Sequence, residues 1–364
     1  MRAAVGVFDV SVLAKFTVRG PAALQALQWL STNDIDVVVG RVVYTPWCND
    51  DGTLIADVTV ARVAADRFLV VATDTVRTKV LIAIRAGIER FSTAVIDLNR
   101  IDLNRIHSNH ASANNRDVTS VVDVTTESAI ISVQGPNSRG LLGRLTDTAL
   151  GSDEFRYMSA QHVSVAGIDL LAMRITFTGD LGWELHVPTQ HATALYDAVF
   201  AAGSDLGVWP CGIDSMYGLA AEKGYVDFGY SIDATLTPLE ANLGGTVAWH
   251  KDARFRGRDA LLAQRESGPV GVRVVLVRAA DPAVHLAPGD PVTRNGVEVG
   301  HIVAASYGHT VGRSVGYARI ANGSGVDGSW LTQGMWGADT APAGCRISVG
   351  TTAWFDPFRA RVRA

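Results

Sequence analysis

Few residues in this chain have both the type and the spacing to do chemistry. The letters Gly323-Ser324-Gly325-Val326-Asp327-Gly328 match a dinucleotide-binding fingerprint, but that reading needs a strand before them and a helix after. Ala321-Asn322 precede them and Ser329-Trp330 follow, so a flexible loop is expected. No GxSxG nucleophile elbow and no phosphate-binding P-loop occurs. The histidines are scattered; the nearest pair, His107 and His110, lies in a polar stretch, and no metal centre is expected. Cys48, Cys211 and Cys345 are far apart and read as small buried apolar residues in a reducing compartment. Asp57 is different. It stands inside an apolar run from Leu54 to Val60 that reads as a β-strand, where aspartate is disfavoured. A carboxylate fixed there can take up a proton or stabilise positive charge.

The elements that must position it follow from periodicity. Lys15 to Pro21 is a strand pattern ending in Gly-Pro, followed by a helical stripe of Leu24, Leu27 and Leu30. Ile130 to Pro136 repeats the arrangement, followed by Leu141, Leu142 and Leu145. Thr53 to Val60 and Arg67 to Ala72 read as strands around an Ala65-Asp66 turn, and Thr78 to Phe91 as a helix. The tandem Asp97 to Ile101 and Asp102 to Ile106, with polar Ser108 to Arg116, reads as a surface insertion. Strands are expected over 157–187 and helices over 191–203 and Asp214 to Lys223. After Gly268-Pro269 the texture turns to short β runs, with a loop from Ala321 to Ala343. We therefore expect an α+β region over 1–265 and an all-β region over 266–364.

The 364 residues are 48% hydrophobic and 19% charged with a formal net charge of -4, which suits a globular core and argues against a nucleic-acid partner. No apolar run approaches the ~20 residues that span a bilayer, and no secretory signal opens the chain. A cytoplasmic protein without a membrane partner is expected.

Nine segments in order resemble the aminomethyltransferase (glycine-cleavage T-protein) family. They begin with Gly6-Val7-Phe8-Asp9-Val10-Ser11, Thr32-Asn33-Asp34 and Asn49 to Asp57. Gln134-Gly135-Pro136, Thr178 to Leu185, Glu222-Lys223-Gly224-Tyr225 and Thr237 to Leu243 follow, then Phe255 to Leu261 and Gly308 to Ser314. That family includes tetrahydrofolate-dependent demethylases and the folate domains of dimethylglycine and sarcosine dehydrogenases. The resemblance implies a three-domain cloverleaf around a central hole that holds tetrahydrofolate. It also implies transfer of an aminomethyl or methyl group from a small C1 donor to that cofactor. The catalytic carboxylate falls on Asp57. Tyr44, Phe177 and Phe228 fall on aromatic positions near the folate ring, Glu184 on the acid that accepts from the pterin N–H donors, and a C-terminal arginine, Arg361 or else Arg363, on a contact to the folate tail. The implied partners are a lipoyl carrier protein or an amine-oxidising flavoprotein.

The chain departs from the family at identifiable places. Ala220 stands where an arginine usually precedes Glu222, which removes a charge-assisted contact of about 1.5–3 kcal/mol. Thr73 stands where an asparagine is usual, and is retained as a folate contact. Met1 aligns roughly 40 residues inside a typical member, so a shortened first domain or an earlier start is expected. Gly308 to Gly312 and Gly244-Gly245-Thr246 look closer to the methylamine-linked branch. The alternative is a folate-binding scaffold that has lost turnover. Iron–sulfur assembly relatives carry a different signature from Arg256-Gly257-Arg258-Asp259.

Overall fold

The computed structural model describes residues 1–92, 118–268, 270–321, 329–340 and 344–364. The tandem repeat, the polar stretch with its two histidines and the glycine-rich letters at 323–328 lie outside the described residues.

The chain begins with β1 (Val5–Asp9), β2 (Ala14–Arg19), α1 (Ala23–Leu30), β3 (Val42–Cys48), β4 (Leu54–Ala64), β5 (Arg67–Ala72) and α2 (Arg77–Phe91). It continues with β6 (Ser120–Asp123), β7 (Ser128–Gln134), α3 (Ser138–Leu142), β8 (Ser159–Val165), β9 (Ile168–Arg174), β10 (Gly182–Pro188), α4 (Ala192–Ala202), β11 (Val208–Pro210) and α5 (Ile213–Lys223). One antiparallel sheet has the order β3-β4-β5-β2-β6. Ala26, Leu27 and Leu30 of α1 and Val80, Ile84 and Ile88 of α2 pack with Phe16, Val60 and Phe68 of that sheet in one core. A second sheet, β11-β1-β7-β10-β9-β8, is covered by α3 and α4 through Leu141, Leu142, Leu195 and Val199. The chain's first strand thus lies inside its second sheet.

The two Gly-Pro corners predicted from the repeated pattern are both present, and sterics explain their glycines. Gly20 and Gly135 have φ of 119° and 125°. A Cβ on Gly20 would meet the Val118 carbonyl oxygen at 2.4 Å, and one on Gly135 the Ala4 carbonyl oxygen at 2.3 Å. Both neighbours are backbone, so neither can give way. The second helix is shorter than its leucines imply and ends at Leu142.

After α6 (Arg258–Glu266) come β12 (Val272–Ala279), β13 (Pro291–Arg294), β14 (Val297–Gly308), β15 (Arg313–Ala321), β16 (Trp336–Ala338) and β17 (Cys345–Gly350), which close a six-stranded barrel. A short helix, α7 (Ala360–Arg363), follows. The expected loop from Ala321 to Ala343 therefore contains a barrel strand. Its three residues are too few to show alternation, and Trp336 reveals it only by burying its ring 5.5 Å from that of Trp330. The cysteines are all free; Cys48 is buried as expected, whereas Cys211 and Cys345 are only partly so. Among the described residues no helix is long and apolar enough to cross a membrane.

The barrel does not stand apart from the first unit. Phe228, Ile232, Leu236 and Ala241, in the segment after α5, share one core with Val58 and Val60 and with Val274, Leu276 and Tyr317 of the barrel. That segment is what brings the chemistry together.

Candidate active site

Asp57 is carried by β4 opposite Pro46 of β3, and Tyr44 is opposite Thr59. Side chains two apart share a face of a strand, so Tyr44 and Asp57 are diagonal neighbours on one face. The Tyr44 hydroxyl donates to Asp57 Oδ2 at 2.8 Å, although 13 residues separate them in sequence. The backbone N–H of Phe228 donates to Asp57 Oδ1 at 3.3 Å. Both carboxylate oxygens thus have protein donors while the side chain is 8% exposed. Burial pushes the Asp57 carboxyl up from its ordinary range, and the hydrogen bonds from Tyr44 and the backbone oppose that rise. Burial and the adjacent anion push the Tyr44 phenol well up, so it remains a donor.

Phe228 is buried and closes the site from the α5–barrel segment. Phe177 lies edge-on to Tyr217 of α5, with ring centroids 6.1 Å apart. Tyr217 in turn stacks on Tyr230 at 4.1 Å and donates to Asp227 Oδ2 at 3.0 Å. Thr73 follows Ala72, the cross-strand partner of Val58, and so leaves the sheet next to Asp57; it is half-buried. Of the predicted residues, Tyr44 and Phe228 hydrogen-bond Asp57, Thr73 leaves the sheet beside it, and Phe177 connects to this group through Tyr217. Tyr217, Tyr230 and Asp227 were not anticipated. The one trace of them in the sequence is an acid directly before an aromatic, Asp227-Phe228.

Glu184 belongs to the second sheet. It sits on β10 opposite Ser132 of β7 and Met173 of β9, and its carboxylate lies 3.8 Å from His186 Nε2. Burial alone pushes the Glu184 carboxyl up to about 7. Burial, with Lys15 nearby, pushes His186 down to about 3, so the imidazole is neutral. Both of its ring nitrogens are buried without a hydrogen-bond partner among the described residues. An acid beside an imidazole whose ring nitrogens lack partners, both on one face of a strand, suits a ligand that offers N–H groups.

Arg361 is held differently from the ring residues. Its guanidinium is hydrogen-bonded to Asp180 and to the Arg2 carbonyl, and lies 5.5 Å from the Phe355 ring centroid. Arg2 itself donates to Asp180, to the Leu219 and Thr178 carbonyls and, at 2.9 Å, to Glu222 Oε2. Positive charge is therefore present beside residues 219–222, supplied by Arg2 where Ala220 supplies none. A cleft of about 830 Å³ lies elsewhere, lined by Gln28, Trp29, Asp50, Arg90, Arg254 and Arg256 among others. Its charges are largely spent on exposed pairs such as Arg256–Asp50 at 2.8 Å, and none of the predicted residues lines it.

Comparison with known proteins identifies the family and the fold. Residues 1–251 match the GCVT N-terminal domain and residues 272–348 the glycine cleavage T-protein C-terminal barrel domain. An aminomethyltransferase of Halothermothrix orenii is 31% identical over 328 residues, 90% of this chain and 83% of that protein. A 4-methylaminobutanoate oxidase (formaldehyde-forming) of Paenarthrobacter nicotinovorans is 34% identical over 91% of this chain. Sarcosine dehydrogenase of Mus musculus is 29% identical over all of it. The chain spans only 37% and 38% of the length of those last two relatives. The fold is that of the aminomethyltransferase T of Bartonella henselae, with a TM-score of 0.78 at 20% identity over 98% of this chain and 88% of that one. The chain belongs to the glycine-cleavage T-protein family, the tetrahydrofolate-dependent one-carbon transferases.

Proposed function

We propose that this protein moves a one-carbon unit from a small nitrogen-bound donor to tetrahydrofolate, with Asp57 as the catalytic carboxylate. The observation that carries the reading is a buried carboxylate braced by Tyr44 and by the Phe228 backbone N–H, at the meeting of the first sheet, the α5 segment and the barrel core. The residues present fit the cofactor. Glu184, beside a His186 without a partner, accepts from the pterin's N–H groups. Tyr44, Phe177 and Phe228 supply aromatic surface to a flat heterocycle, and Thr73 lies at the edge of that space. Arg361 has five N–H donors, and Asp180 and Arg2 do not use them all, so it retains donors for the folate tail. Tetrahydrofolate supplies the nucleophilic nitrogens; Asp57 orients them and takes up a proton.

We read residues 1–265 as the folate-binding region and 266–364 as the barrel that backs it. Relatives named 4-methylaminobutanoate oxidase and sarcosine dehydrogenase favour a donor derived from an N-methylamine. An amine-oxidising flavoprotein in the same cytoplasm would supply it. A lipoyl carrier protein bearing an aminomethyl group is the second source.

The test is tetrahydrofolate titration followed by donor-dependent transfer. Asp57→Asn is expected to bind tetrahydrofolate as the native protein does and to lose turnover about 10²–10⁴-fold, the usual weight of acid–base catalysis. Binding without transfer, the same in native and variant protein, would support a scaffold instead.

A further inference from the structure

The site contains a second carboxyl that the chemistry above leaves unused. Asp227 immediately precedes Phe228, whose N–H donates to Asp57 Oδ1, so the two acids are carried side by side. Each has a phenol on one oxygen: Tyr44 at 2.8 Å on Asp57 and Tyr217 at 3.0 Å on Asp227. The ring of Tyr217, stacked on Tyr230 and met edge-on by Phe177, fixes the second pair as the β3–β4 register fixes the first. Among the described residues neither acid forms a salt bridge; the ion pairs nearest in sequence are Lys223–Asp356, Arg2–Glu222 and Arg319–Asp233 on the Asp227 side and Arg62–Asp36 and Arg256–Asp50 on the Asp57 side. The charged and titratable groups facing Asp227 are Asp57 from β4, Asp74 from the turn after β5 and Tyr217 from α5. Its charge is also felt at Tyr44 and at Tyr317 of the barrel. None of these is a cation.

The surroundings separate the two acids. Asp57 accepts from a phenol, from the Phe228 N–H and from its own backbone, all of which favour the ionised form. Among the described residues Asp227 is favoured as an anion by the Tyr217 phenol and the Phe228 backbone, but it faces two like charges; burial and that repulsion push its carboxyl up to about 7. Burial raises both carboxyls, but at Asp57 only hydrogen bonds act beside it and they oppose the rise, whereas at Asp227 like-charge repulsion adds to it; carboxyls treated so unequally by their surroundings are suited to divide the work of base and acid.

The reaction needs both. With an iminium donor, the two bonds of the C=N group break and two C–N bonds form to the folate nitrogens. Those nitrogens lose two N–H protons and the leaving amine gains two. The positive charge passes from iminium to ammonium, and nothing is oxidised or reduced. Protons must therefore be collected on one side of the transferred carbon and delivered on the other. Resting on the folate-transfer reading, we infer that Asp227 is a second catalytic carboxyl, the proton donor to the departing amine nitrogen, with Asp57 as the base.

The experiment compares native protein, Asp227→Asn and Asp227→Glu, with dimethylamine pre-equilibrated with formaldehyde as donor. It follows formation of 5,10-methylene-tetrahydrofolate above the protein-free rate from pH 5.5 to 8.5. Native transfer is expected to decline as pH rises through about 7, when Asp227 loses its proton. Asp227→Asn is expected to be about 100-fold slower at pH 6, with a deficit that shrinks at higher pH and with tetrahydrofolate affinity within about threefold of native. Asp227→Glu should restore at least about a tenth of the rate together with the high-pH decline, and it decides the matter if the Asn variant does not fold. A deficit that is the same at every pH, or a Glu variant as slow as Asn, overturns the role. So does an Asn variant within about threefold of native. Native protein that neither binds tetrahydrofolate nor makes product removes the underlying reading, and this proposal with it.

Discussion

Glu184 shows how burial alone sets the proton affinity of a single side chain. A buried ionised carboxylate loses hydration, and among the described residues no hydrogen-bond donor compensates it, so its carboxyl rises to about 7. The sign of the consequence is definite. Below the unfolded value of about 4.3 both states are protonated and the group is neutral for stability. Between the ordinary value and about 7 the unfolded chain gives up its proton while the folded protein keeps it, so stability falls across that window and levels off above it. Relative to native protein, Glu184→Gln should therefore gain stability between pH 5 and pH 8, by about 2–3 kcal/mol in urea unfolding. The same variant should bind tetrahydrofolate more weakly, since an amide offers one acceptor oxygen where the carboxylate offers two. A variant whose stability tracks native at every pH would show that Glu184 is compensated in solution by something else.

At the scale of elements, the two strand–Gly-Pro–helix corners carry the sharpest expectation. Gly135 needs φ of 125° and has backbone oxygens of Ala4 and Met1 at 2.3 and 2.8 Å from where a Cβ would be. Gly167, at φ 76° in the β8–β9 turn, has nothing within 4 Å. Gly135→Ala should cost about 3 kcal/mol or more because strain and clash add, and Gly167→Ala about 1 kcal/mol from strain alone. Thermal unfolding of the two variants side by side separates them; equal losses would mean that the close approach at Ala4 is not maintained. Both corners were legible in the sequence because Gly-Pro after an alternating run has one physical meaning. Strand β16 was not, since three residues carry no period and its place in the barrel depends on partners elsewhere in the chain.

Across the whole molecule, several segments that carry the family resemblance prove to be ties between modules. Glu222 is fully buried; it accepts from Arg2 at 2.9 Å and from the Thr310 N–H of the barrel at 2.6 Å. Lys223 pairs with Asp356 at 2.9 Å, and Asp180 binds both Arg2 and Arg361. Arg2→Met leaves two buried carboxylates short of a cation and should destabilise the protein by about 3–5 kcal/mol in urea unfolding. An effect below about 1 kcal/mol would place this network in the class of surface pairs. By itself, the order of local patterns determined the α+β region, the barrel texture and the family, because strand alternation and motif order are properties of neighbouring letters; it also singled out Asp57 as a candidate inside an apolar run, whereas Tyr44 was implied only by the family resemblance. Only the tertiary structure decided that the first strand enters the second sheet, that Arg2 supplies positive charge beside Ala220, and that Asp227 stands next to Asp57. Each of those joins residues far apart in the chain, and what selects them is the need to bury apolar surface and to partner buried charge, which acts on distance in space and leaves no local period to read.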